Sequence, residues 1–108
     1  MREGADAVVR SVDGVPIRLS AERWVHIVEH HDDLAGHYHS VLEAVSVPDA
    51  VYEGDGGALL AEKRFGSRWL VAAYRQVTAS DGFVITAFFT TRMRQIERRR
   101  LVWKRASS

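Results

Sequence analysis

The chain has 108 residues and no cysteine, which gives the size of one folding unit without a disulfide scaffold, a thiolate metal site or a cysteine nucleophile. No apolar run approaches the roughly 20 residues of a membrane-crossing helix, and no P-loop, dinucleotide-binding, nucleophile-elbow or zinc-finger pattern occurs, which sets aside nucleotide-driven and hydride chemistry. The net charge of +1 conceals a division: residues 92–108 hold seven basic side chains and one acidic, net +6, and residues 1–91 carry −5.

A basic end on an acidic body attracts phosphate or an acidic partner segment, or else stands as a solvated end. The opening Met1-Arg2-Glu3-Gly4-Ala5-Asp6 has acidic residues and no apolar stretch, unlike a signal peptide, so a cytoplasmic location is expected. One domain is expected over residues 1–108, with its core at about 8–104.

Residues 8–12 and 15–19 flank Asp13-Gly14 and read as a hairpin with a two-residue turn, where both turn positions take positive φ. Pro16 pushes the second strand to an edge. Ser20 is an N-cap for a helix over residues 21–31. In its period Ala21, Trp24, Val25, Ile27, Val28 and His31 share the inner side, and Glu22, Arg23, His26, Glu29 and His30 the outer. After Asp32-Asp33 a second helix is marked by Leu34, Tyr38, Val41, Leu42 and Val45 and stopped by Pro48. From there the period becomes that of strands. A short strand at residues 50–53 precedes the turn 54–57, and β-rich runs follow at 58–65, 69–76 and 83–90. Connections this short require antiparallel neighbours. Residues 92–100 form a basic helix or turn, and residues 101–103 a closing strand.

These elements predict an α+β domain: the hairpin and two helices packed on one face of a small antiparallel β-meander, with a basic C-terminal helix or turn and a final strand. On the last meander strand Val84, Thr86, Phe88 and Thr90 alternate with the more apolar Phe83, Ile85, Ala87 and Phe89. The threonine-bearing face is the candidate floor of a site.

Several side chains carry chemistry. His26 and His30 lie one helical turn apart and can supply the general base and general acid that metal-free RNA cleavage requires; solvated, inert surface histidines have the same spacing. His26-Ile27-Val28-Glu29-His30 also matches H-x-x-E-H, a zinc-protease pattern that this short chain would have to complete with a third ligand and a cleft. His31 reads as a hydrogen-bonded core residue, and His37 and His39 as surface. Lys63, Arg64 and Arg75 lie within strands, where a cation either pairs with an acid, as Lys63 with Glu62, or meets a phosphate on an open face. Thr86, Thr90 and Thr91 can hydrogen-bond phosphate or serve only as good strand formers. Arg92, Arg94, Arg98, Arg99 and Arg100 are candidates for RNA phosphate contacts, together with Arg64.

As a set, Ile17-Arg18-Leu19-Ser20-x-x-Arg23-Trp24-x-His26-Ile27-x3-His30, the Val-x-x-Pro turn at Val45 to Pro48, Tyr74-Arg75, and Val84-Ile85-Thr86-Ala87-Phe88-Phe89-Thr90 resemble the barnase–EndoU–colicin–RelE superfamily of small nuclease domains. The order of helices followed by strands is similar to that of BrnT-type toxins. The resemblance covers roughly residues 15–103. It implies a metal-independent RNA endonuclease of the toxin kind, without cofactor, acting on RNA and restrained by an acidic cognate antitoxin or immunity protein. Carried onto matching positions it points to His26, His30, Arg75, Thr86 and Thr90. Where the opening motif reads His-Pro this chain has His30-His31, which leaves open which histidine faces the site. A non-catalytic RNA- or protein-binding domain of the same fold is the alternative.

Overall fold

In the computed structural model, residues 6–106 are described; the expectation for the leading segment falls almost wholly outside them. The chain runs β1 (Ala7–Arg10), β2 (Pro16–Leu19), α1 (Ala21–His30), α2 (Tyr38–Ser46), β3 (Ala50–Glu53), β4 (Leu59–Phe65), β5 (Arg68–Thr78), β6 (Asp81–Thr90), α3 (Arg94–Glu97) and β7 (Leu101–Lys104), with single 3-10 turns at Asp32–Leu34 and Asp55–Gly57. It is an α+β fold.

Ser20 caps α1 as its residue type predicts, its hydroxyl accepting from the Arg23 N–H at 3.0 Å. The segment expected as one second helix is divided. Leu34 belongs to a 3-10 turn, Gly36 takes φ 84°, and α2 begins only at Tyr38, because a left-handed residue cannot continue a right-handed helix. Pro48 is buried just past the end of α2.

The hairpin differs from expectation in two ways. Residues 11–15 form a five-residue connection in which Gly14 alone has positive φ (81°). The Ser11 hydroxyl organises this loop: its oxygen accepts from the Asp13 and Val15 N–H groups, both at 3.3 Å, and it donates to Gln76 Oε1 at 2.5 Å. The hairpin also joins the sheet instead of packing on its face. The strand order is β1-β2-β6-β5-β4-β3-β7, so β2 is not an edge strand. Pro16 is tolerated because β2 meets β6 through one parallel bridge, Arg18 to Phe83, and Pro16 lies outside it. The sheet is therefore mixed, although β4, β5 and β6 are consecutive antiparallel neighbours as expected.

Register sorts the side chains into two faces. Ala61, Leu70, Ala72, Tyr74, Val84 and Ala87 face the helices and meet Ile27, Leu34, Val41, Leu42 and Val45 in the main core; Trp24 and Tyr38 pack at its border, edge to face with centroids 5.3 Å apart. Val25, assigned to the inner side, is instead 56% exposed. A bulge sets Tyr74 opposite Val84 and Ala73 opposite Thr86, leaving Ile85 as the extra residue. Val84 thereby moves to the helix side while Thr86, Phe88 and Thr90 keep the opposite face. On that second face Val71, Met93 and Ile96 form a smaller core with Tyr52, Leu60, Trp69 and Phe88 around it. It is covered by α3, a single helical turn within residues 92–100, where a basic helix or turn was expected.

β2 and β6 approach closely at Gly82. A Cβ there would lie 2.5 Å from the Arg75 carbonyl oxygen and 2.6 Å from Ile17 Cδ1, and the backbone oxygen cannot yield. Gly82→Ala is expected to destabilise the fold by about 1–3 kcal/mol, the usual cost of overpacking, read by urea denaturation.

Glu62 is 7% exposed beneath α3, and its Oε2 has no hydrogen-bond partner among the described residues. Burial raises its pKa to about 7, with Glu97 and Asp49 adding to the effect and Lys104 opposing it. The folded carboxyl therefore titrates above its unfolded value. Its ionisation penalty is absent below about pH 4.5, grows as pH rises toward 7 and is complete beyond it. Glu62→Gln removes that penalty, so the variant is expected to melt higher than the parent at pH 8 and to lose the advantage at pH 4, in thermal scans by circular dichroism.

Candidate functional site

The outer side of α1 and the edge of β6 beyond the single β2 bridge form a shallow cleft of about 360 Å³ lined by Arg23, His26, Ile27, His30, His31, Ile85 and Thr86. Helical spacing places Arg23, His26 and His30 at i, i+3 and i+7 on one stripe. The two imidazoles stand 5.7 Å apart, centroid to centroid. The His30 Nδ1–H donates to the His26 carbonyl at 2.9 Å, which leaves Nε2 with the lone pair in the neutral ring. Glu29 Oε1 lies 3.9 Å from His26 Nδ1. His31 is half-buried at the C-terminal end of α1 with its ring 6.2 Å from that of Phe88, so it borders the cleft and is not a core residue.

Of the residues singled out from sequence, His26, His30 and Thr86 come together here. Arg75 and Thr90 do not. Arg75 shares the second sheet face, but its guanidinium lies against the 3-10 turn at Asp55–Gly57, with Nη1 3.1 Å from where a Gly57 Cβ would sit. The Thr90 hydroxyl accepts from the Arg92 N–H at 2.9 Å and closes the turn after β6. Arg23 was overlooked as a site residue, although its spacing from the histidines was readable; its side chain makes no ion pair among the described residues. His37 is half-buried instead of freely exposed, its ring packed edge-on against Phe65 at 5.3 Å and Phe89 at 5.2 Å, while His39 is exposed as expected. Lys63 does not pair with Glu62. Adjacent residues on a strand face opposite ways, and the Lys63 ammonium donates to the Val47 carbonyl at 2.9 Å. Tyr74 is fully buried on the helix side of the sheet, and burial first and Asp13 second push its hydroxyl up to about 12. Among the described residues, no three His, Asp or Glu side chains converge as metal donors, so the H-x-x-E-H spacing of α1 finds no third ligand.

The basic end is divided by its own neighbours. Arg99 reaches Asp55 at 3.0 Å, Arg100 reaches Glu53 at 3.7 Å and Arg105 reaches Asp49 at 3.0 Å, pinning the chain end along β3. Arg92, Arg94 and Arg98 are exposed and without ion pairs among the described residues. Arg92 and Arg94 line a second cleft of about 640 Å³ with Trp69, Thr91, Met93, Gln95 and Glu97. Arg64 lies over the Trp69 ring, 4.7 Å from its centroid. No helix among the described residues is long and apolar enough to cross a membrane.

Compared with protein-family models, curated proteins and solved structures, the chain has no match.

The division of the arginines has a measurable consequence. Each phosphate contact on single-stranded RNA contributes roughly 0.7 to the fall of log K with log salt. If the exposed arginines hold RNA phosphates, Arg92→Ala with Arg94→Ala is expected to flatten that slope by about 1.4, whereas Arg99→Ala with Arg100→Ala, which removes cations already paired with Asp55 and Glu53, is expected to flatten it less and to lower thermal stability. Fluorescence anisotropy over a salt series reads the slopes.

Proposed function

We propose that this chain is a metal-independent endoribonuclease of the bacterial toxin type, with its chemistry in the α1–β6 cleft. The observation that carries the reading is the convergence of two imidazoles, one guanidinium and one hydroxyl on the cleft formed by His26, His30, Arg23 and Thr86. The sequence resemblance to the barnase–EndoU–colicin–RelE superfamily supports the same class.

In this reading His30 Nε2 takes the proton of a ribose 2′-OH and the 2′-oxygen attacks the adjacent phosphorus. His26 gives a proton to the 5′-oxygen as the P–O5′ bond breaks, leaving a 2′,3′-cyclic phosphate and a 5′-hydroxyl. Arg23 takes the role first assigned to Arg75 and balances the charge on the pentacoordinate phosphorus. Thr86 hydrogen-bonds a phosphate oxygen, and Arg64, Arg92, Arg94 and Arg98 hold the strand through its phosphates. An acidic inhibitor protein would compete for those same arginines.

A second reading, an RNA- or protein-binding domain without chemistry, is favoured by the exposure of the His26 side chain, 58%. Incubating the purified protein with total RNA in EDTA separates the two. The ribonuclease reading expects cleavage with cyclic-phosphate ends, reduced roughly 100- to 10,000-fold in His26→Ala and in His30→Ala with the circular dichroism spectrum unchanged. Intact RNA with binding retained establishes the binding module instead.

A further inference from the structure

We infer that the cleft beneath α3 is a base-stacking subsite for single-stranded RNA, with Trp69 as its platform. The inference rests on the ribonuclease reading for the class of ligand and goes beyond it in assigning recognition to bases as well as phosphates. Trp69 is half-buried on β5, on the sheet face opposite the main core, and its indole forms part of the cleft wall. The cleft combines an aromatic surface, a buried methionine at Met93 and two lining guanidinium groups, Arg92 and Arg94, that make no ion pair among the described residues. Arg64 from β4 lies over one face of the indole, 4.7 Å from its centroid, and is not among the residues that line the cleft, so a base stacks on the other face.

An aromatic ring among cations is the physical arrangement that binds unpaired nucleic acid: a base lies on the ring while its flanking phosphates meet the cations. A purely apolar partner would leave the guanidinium groups without counter-charge. A duplex would keep its bases stacked on each other and away from the indole. Gln95 and Glu97 add amide and carboxylate groups along the same wall, which can hydrogen-bond the edge of a base that has left its stack.

The position relative to the histidine cleft follows from register. Trp69 pairs with Thr90, and Thr90, Phe88 and Thr86 succeed one another on the same face of β6. Thr86 lines the histidine cleft, so the two clefts lie about 13 Å apart along that strand at the usual rise. A strand held at Trp69 therefore extends within reach of the catalytic groups.

The test uses the whole chain and a fluorescein-labelled 2′-O-methyl decauridylate, which lacks a free 2′-OH and so separates binding from cleavage. Its comparison ligand is the same backbone without bases. Stacking predicts that the abasic strand binds roughly ten-fold or more weakly, with no change made to the protein. Trp69→Leu is expected to lose a similar factor on the base-bearing strand and little on the abasic one, while Trp69→Phe keeps most of the affinity. Equal binding of the two strands by the parent protein overturns the proposal, because the cleft then reads charge alone. So does an equal loss on both strands in Trp69→Leu. Binding of a polyglutamate peptide that is abolished by Arg92→Ala with Arg94→Ala, together with no binding of either strand, overturns it in favour of an acidic protein partner. Base-dependent binding in a protein that cleaves no RNA leaves the subsite standing and removes the ribonuclease reading alone.

Discussion

The register of β5 against β6 decides which side chains reach which surface, and the bulge at Ile85 is the point where that decision is made. Without the extra residue, Val84 would share a face with Thr86 and Phe88, and one of the two cores would lose its partner to the other. With it, Val84 joins Tyr74 in the helix-side core while Thr86, Phe88 and Thr90 remain together on the opposite face. Both faces of the central strands are thereby committed. One receives α1 and α2, and the other receives the single turn of α3 over Val71 and Phe88. β6 also meets β2 at one bridge only, so α1 packs beside the rest of its edge, and that boundary between helix and strand edge is where the histidine cleft opens.

Electrostatics follows the same economy of position. The sequence carries a strong division of charge, +6 over residues 92–108 and −5 before them, yet folding brings much of the tail onto acids at the far edge of the sheet. Glu53 ends β3 and Asp49 and Asp55 flank it, and they take Arg100, Arg105 and Arg99. Surface pairs of this kind contribute little stability, with a median of about 0–1 kcal/mol, but they determine which cations remain for a ligand. The field available to an anionic ligand comes from Arg64, Arg92, Arg94 and Arg98 more than from the tail as a whole.

Much of the fold was legible because its signals were local. Ser20 announced α1, the apolar spacing of Val41, Leu42 and Val45 announced the buried side of α2, and Gly66-Ser67 joined two strands too closely for anything but an antiparallel pair. What was not legible depended on contacts distant in sequence. The hairpin's entry into the sheet rests on Ile17 pressing on Gly82 and on one bridge from Arg18 to Phe83. The break at Gly36 and the bulge at Ile85 shift phase within patterns that otherwise look continuous. The site divided in the same way. His26 and His30 share a helix and were found from spacing; Arg23 lies on the same stripe but was read as surface. Arg75 and Thr90, carried over by resemblance, are held by the 3-10 turn at Asp55–Gly57 and by the Arg92 N–H.

The exposure of the candidate acid and base bears on how such a site could work. A charge interaction in a water-filled groove is weak beside the same interaction in a dry cavity, and the histidine cleft is shallow and lined on one side by a solvated helix. Neither Thr86 nor Ile85 can exclude water alone. In the proposed mechanism the substrate itself must complete the wall, covering the imidazoles as it binds. That requirement makes contacts remote from the phosphate important, since binding energy gained elsewhere on the strand can be used to hold the reacting groups in place and displace water. A base on Trp69 and phosphates on Arg92 and Arg94 are positioned to supply it, because β6 joins both clefts through one rigid element.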